Sequence, residues 1–126
     1  MKFNEGYWLR KENVQPSYAT QGFTVEEIPH GMRITAPERP ILSRADALDL
    51  TVLVVDFVSA GHNDIAVTAT HYTAYDSHEP RYALTEHPDE VQVQVTPQEA
   101  VMTAGGVTVR VNRERWSYQF EADGRL

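Results

Sequence analysis

The chain has 126 residues, 41% of them hydrophobic, which suits one globular domain with a real core rather than a disordered tail or a membrane span. Its 18 acidic and 11 basic side chains leave a net charge of −7, a field that repels phosphate and argues against nucleic acid or an anionic membrane surface as partner. With no cysteine, a disulfide framework, a thiolate metal site and a cysteine nucleophile are all excluded.

The opening Met1-Lys2-Phe3-Asn4-Glu5-Gly6 has no apolar core of the kind a secretory signal needs, so the cytoplasm is the expected location. Tyr7 and Trp8 come before any periodic segment, as rings that either seal the edge of the domain or face a partner domain. Phe23 to Glu26 and Met32 to Thr35 flank Pro29-His30-Gly31 and read as a hairpin. Pro37 to Asp49 is long and polar, a surface loop in which Ser43 to Leu48 has room for one helical turn. Leu50 to Val58 is apolar at nearly every position and β-branched, which predicts a central strand covered on both faces.

Ile65, Val67 and Ala69 alternate with small polar neighbours, and a second long loop is expected from Tyr72 to Asp89. Val91, Val93 and Val95 alternate with Gln92 and Gln94, giving one apolar and one amide face. Val101 to Thr103 and Val107 to Val111 lie on either side of Gly105-Gly106, a pair that accepts the positive φ of a tight hairpin. Trp116, Tyr118 and Phe120 then form one aromatic face, with Trp116 expected in the core. Asp123-Gly124 signals another hairpin, yet only Arg125 and Leu126 follow, which predicts that the chain is part of a longer one. Six or seven short strands and frequent turns define the expected fold, an all-β antiparallel sandwich in a single module over 1–126.

Catalytic constellations are scarce. There is no glycine-rich phosphate loop, no nucleophile elbow and no His-Glu-x-x-His. His71 and His78 with Asp76 and Glu79 match no metal-ligand spacing and read as solvated loop side chains. Paired carboxylates would matter because glycosidases use two. Glu26 and Glu27 are adjacent on a strand and point to opposite faces, while Asp46 with Asp49 and Asp89-Glu90 fall in turns or ahead of strands. No catalytic residue, metal or cofactor is therefore assigned. Tyr72, Tyr75 and Tyr82 are the candidate contact residues, either as a platform for sugar rings or as pins for their loop.

Several short segments resemble, in order and spacing, the N-terminus of bacterial α-xylosidases of glycoside hydrolase family 31. They are Met1 to Leu9, Phe23-Thr24-Val25-Glu26, Ala36-Pro37-Glu38-Arg39, His71-Tyr72, Pro80-Arg81-Tyr82-Ala83-Leu84, Gly106 to Val111 and Trp116 to Phe120. The resemblance implies a sandwich of galactose-mutarotase-like type, followed in the parent enzyme by a (β/α)8 barrel that carries the catalytic aspartates. The chain itself would then be a non-catalytic module packing on that barrel, with Tyr7, Trp8, Tyr72, Tyr75 and Tyr82 expected at the interface or near sugar. Severed from its neighbour, its last strand could pair with a second copy. The rival expectation is a free-standing sandwich that binds carbohydrate or protein.

Overall fold

A computed structural model describes residues 12–14, 16–71, 87–122 and 125. Within them the alternating segments become eight strands: β1 (Thr24–Ile28), β2 (Gly31–Pro37), β3 (Val52–Gly61), β4 (Asp64–His71), β5 (Val91–Val95), β6 (Glu99–Ala104), β7 (Val107–Asn112) and β8 (Ser117–Ala122). They form two antiparallel four-stranded meanders, in the orders β1-β2-β3-β4 and β5-β6-β7-β8. Eight strands stand where six or seven were expected; the runs read at Leu50 to Val58 and Ile65 to Ala69 are β3 and β4, joined by a hairpin closed at Gly61 and Asp64 around His62-Asn63.

Each sheet gives one face to a shared core. Met32 and Ile34 from β2 and Val55 and Phe57 from β3 meet Ala100, Met102 and Ala104 from β6 and Val109 and Val111 from β7. This is the packing of two inner faces, with side chains alternating in and out along the strands. The outer faces carry the polar residues. Arg33 reaches across to Asp56 through two hydrogen bonds of 2.8 Å, and the Thr103 and Thr108 hydroxyls meet at 3.0 Å.

β3 is an inner strand of its sheet, as its sequence predicts, but only one of its faces is fully buried. Val55 and Phe57 are buried, whereas the alternate Val54, Asp56 and Val58 are half-buried. A run that is apolar at every position fits a doubly covered strand equally well, so the covered face is decided by the sheet stacked on it. Near its end β3 carries a bulge: Ser59 and Ala60 together oppose Ile65 between the pairs Val58↔Ala66 and Gly61↔Asp64.

The turns follow local chemistry. His30, Asn63 and Gly105 have φ of 57°, 54° and 55° in their two-residue connections. Gly105 alone uses the positive φ offered by the glycine pair. The loop after β2 closes where Glu38 and Thr51 exchange hydrogen bonds of 3.0 and 3.2 Å. It contains the expected single turn, a 3-10 helix at Arg44–Ala47.

Two polar clasps join the sheets at their ends. At one, the Asn63 side chain accepts the Gly106 N–H, and Asp89 accepts the Asn63 N–H. At the other, the Arg113 guanidinium donates to the carbonyls of Gly22, Phe23 and Thr96. Backbone bonds reinforce this second end. Thr20 and Phe23 donate to Pro37 and Thr35 of β2, while Gly22 donates to Arg113 and Thr20 accepts from Trp116. The segment leading into β1 is therefore bonded both to β2 and to the connection between β7 and β8.

Candidate functional surface

The five aromatic contact residues expected from the sequence, Tyr7, Trp8, Tyr72, Tyr75 and Tyr82, lie outside the described residues. So do Asp76, His78 and Glu79 of the histidine–carboxylate segment. Among the described residues, no group of three or more His, Asp or Glu side chains is placed to hold a metal ion.

Two of the candidate acidic side chains, Asp46 and Asp89, are engaged in holding the fold. The Asp46 carboxylate accepts the Ser43 and Leu42 N–H groups at 2.7 and 3.1 Å and the Ser43 hydroxyl at 3.0 Å. Those bonds, the hydroxyl's foremost, hold its pKa below the ordinary aspartate range. Asp89 accepts the Asn63 N–H at 2.7 Å and faces the His62 ring at 3.0 Å. Its own N–H donates to the buried Ser59 hydroxyl at 2.9 Å. Ser59, His62 and Asp89 are thus close together without forming a nucleophile–base relay. The serine hydroxyl points its own proton at the Gly61 carbonyl, 3.3 Å away, and His62 Nε2 faces the Asn63 amide at 3.1 Å. A relay would need the imidazole bonded to the hydroxyl.

What the structure offers instead is an apolar surface. Residues opposite one another in an antiparallel pair share a face, and Phe120 and Tyr118 oppose the buried Val109 and Val111. Both rings therefore lie on the inner side of their sheet. β8 is the edge strand, however, and Tyr118 and Phe120 remain 46% and 38% exposed. Trp116 stands in the connection before β8, half-buried against the margin of the core rather than inside it. The three rings meet edge to face: Trp116 and Tyr118 at 6.2 Å and 69°, Tyr118 and Phe120 at 5.9 Å and 83°. Tyr118 also packs edge-on against the buried Phe57 at 5.4 Å. Rings turned against each other in this way give no flat platform for a sugar. They do form a ridge that a further element could cover.

The outer face of the same sheet holds an open depression of about 260 Å³ lined by Glu99, Arg110, Asn112, Ser117 and Gln119. Its guanidinium is already compensated, with Arg110 Nε donating to Glu121 at 2.9 Å and Nη1 lying 3.9 Å from Glu99. The sequence signal for the ridge was visible as alternation in Trp116, Tyr118 and Phe120. Its position on an edge was not, because alternation assigns a face and not a neighbour.

An all-β protein of two stacked antiparallel sheets, with an aromatic edge left partly uncovered, is the class these observations define. No protein-family model matches the chain. It is a distant relative of the alpha-xylosidase XylQ of Lactiplantibacillus pentosus, at 30% identity over 129 aligned positions. The alignment takes in the whole of this chain and 16% of that protein, so the chain spans about one-sixth of the length of the curated relative it matches.

Proposed function

We propose that the chain is the non-catalytic β-sandwich module of an intracellular family 31-type α-glycosidase acting on α-xylosides or α-glucosides. In this reading the module packs on a (β/α)8 barrel supplied by the rest of the polypeptide, shapes the rim of its pocket and contributes no reacting group. The observation that carries it is the end-to-end similarity to a protein named as an α-xylosidase, of which the chain matches only a minor part. The structural employment of Asp46 and Asp89 supports a non-catalytic role, and the uncovered ridge of Tyr118 and Phe120 supports a packing one.

The test is to assay aryl α-xylosides and α-glucosides with three polypeptides: the product of the whole reading frame, residues 1–126 alone, and the frame product lacking them. The proposal expects hydrolysis by the first, none by the second, and a reduced or lost activity in the third. Hydrolysis by residues 1–126 alone, or a frame that encodes no barrel, overturns it.

A further inference from the structure

The depression on the outer face of the second sheet is built from two neighbouring rows of side chains. Glu99 opposes Asn112 and Asn112 opposes Ser117, while Arg110 opposes Gln119 in the next row. Opposed residues share a face, and the alternate Val109 and Val111 are buried in the core, so these polar side chains stand outward together. Two turns hold the rim. The Thr96 N–H donates to the Glu99 carbonyl at 2.8 Å, and the Thr96 hydroxyl accepts the Glu99 N–H at 3.0 Å. After β7, the Arg115 N–H donates to the Asn112 side-chain oxygen at 2.9 Å, which leaves the Asn112 NH2 group as a donor. Arg110 is fixed by its Nε bond to Glu121, and its Nη1 lies 3.9 Å from Glu99 Oε1, too far for a direct hydrogen bond.

The charges select the ligand. One guanidinium stands between two carboxylates in a chain of net charge −7, so an anion gains little here, and Arg110 repels a cation. A hydroxyl group suits both neighbours, because it donates to a carboxylate and accepts from a guanidinium. We infer that the depression binds a neutral pyranoside, with two adjacent ring hydroxyls seated between Glu99 and Arg110. The remaining hydroxyls then meet the Asn112 and Gln119 amides and the Ser117 hydroxyl, which supply donors and acceptors together. A volume of about 260 Å³ lies just below the roughly 300 to 1,000 Å³ of pockets for larger ligands, and so suits one ring rather than a chain of them. Asn112, Ser117 and Gln119 are exposed, and recognition by exposed hydrogen bonds implies a Kd of about 1–10 mM.

The test is to titrate methyl α-D-xylopyranoside and methyl α-D-glucopyranoside into the isotope-labelled chain, following Arg110 Nε–H and the Asn112 and Gln119 side-chain amides by NMR. At least one glycoside should shift those signals to saturation in the millimolar range. The double variant Ser117→Ala/Gln119→Ala alters exposed side chains only. It should keep the thermal midpoint and bind about fivefold or more weakly. Glucuronate should bind less well than the glucoside, because its carboxylate meets Glu99. No shift with either glycoside up to about 50 mM overturns the inference. So do shifts confined to other residues, unchanged binding by the folded double variant, or glucuronate binding as tightly as the glucoside. An equal response to glycerol at the same concentrations overturns it too, since any polyol would then serve. Binding is read on residues 1–126 and hydrolysis on the whole frame product, so either reading can fail while the other stands.

Discussion

The Asn63 side-chain oxygen accepts the backbone N–H of Gly106 at 2.6 Å, joining residues 43 positions apart and the two hairpins at one end of the sandwich. Asn63 also sits at φ 54°, a region that asparagine tolerates better than most side chains. Two separate contributions therefore meet in one residue. Asn63→Gly removes the bond and keeps the φ, and should cost on the order of 1 kcal/mol. Asn63→Ala removes the bond and adds backbone strain, so about 1 kcal/mol more should be lost. Urea denaturation of both variants checks this. Equal costs would show that strain plays no part.

The same clasp should weaken in acid. The Asn63 N–H, followed by the His62 ring, holds the Asp89 carboxyl below the ordinary aspartate value of 3.8. A carboxylate with a depressed folded-state pKa contributes stability that is fully present above its unfolded value and lost as pH falls through the folded one. The urea midpoint should therefore decline below about pH 4, and Asp89→Asn should make that decline shallower while lowering the midpoint at neutral pH. Asp46 and Glu38, also depressed by hydrogen bonds, supply the part that remains. Identical acid slopes in wild type and Asp89→Asn would remove Asp89 from the account.

Gly31 is required for space rather than for its φ. A Cβ there would lie 2.1 Å from the Phe57 carbonyl oxygen and 3.0 Å from the Val58 Cα, both backbone atoms of the neighbouring central strand. Neither can yield without disturbing the ladder on which the buried Phe57 depends. Gly31→Ala should lose about 2 kcal/mol or more, or fail to accumulate as folded protein. A thermal midpoint unchanged from wild type would contradict the close approach.

Arg113 fastens the opposite end by donating to three carbonyls on two different segments. A guanidinium can fan out over three acceptors, whereas a lysine ammonium presents a single point. Arg113→Ala should cost roughly 2 kcal/mol, given partial exposure, and Arg113→Lys should recover less than half of that. Full recovery by lysine would reduce the clasp to simple charge.

Strand existence was legible in the sequence wherever one face is polar. The alternation in Val91 to Val95, Val107 to Val111 and Trp116 to Phe120 places β5, β7 and β8 almost to the residue. The glycine pair at 105 and 106 and Pro29-His30 mark two hairpins by turn chemistry that is local to four residues. The β3–β4 hairpin was hidden because its positive φ falls on Asn63, without a glycine in the turn itself, and because a bulge shifts the alternation on one side of it.

The candidate surface was legible only in part. Tyr118 and Phe120 were visible as an aromatic face, but exposure depends on how far the opposite sheet extends, and strand order is not written in periodicity. Asp89 and Arg113 gave no local sign of their roles, since each bonds partners far along the chain. The sequence alone determined the fold class, the faces of most strands and the lack of cysteine chemistry, because these depend on the side-chain period and composition. Which strand comes to the end of its sheet, which carboxylates are engaged in clasps, and which rings remain partly exposed were decided by the tertiary arrangement of the two sheets. Those properties arise from contacts between residues tens of positions apart, and no local pattern encodes them.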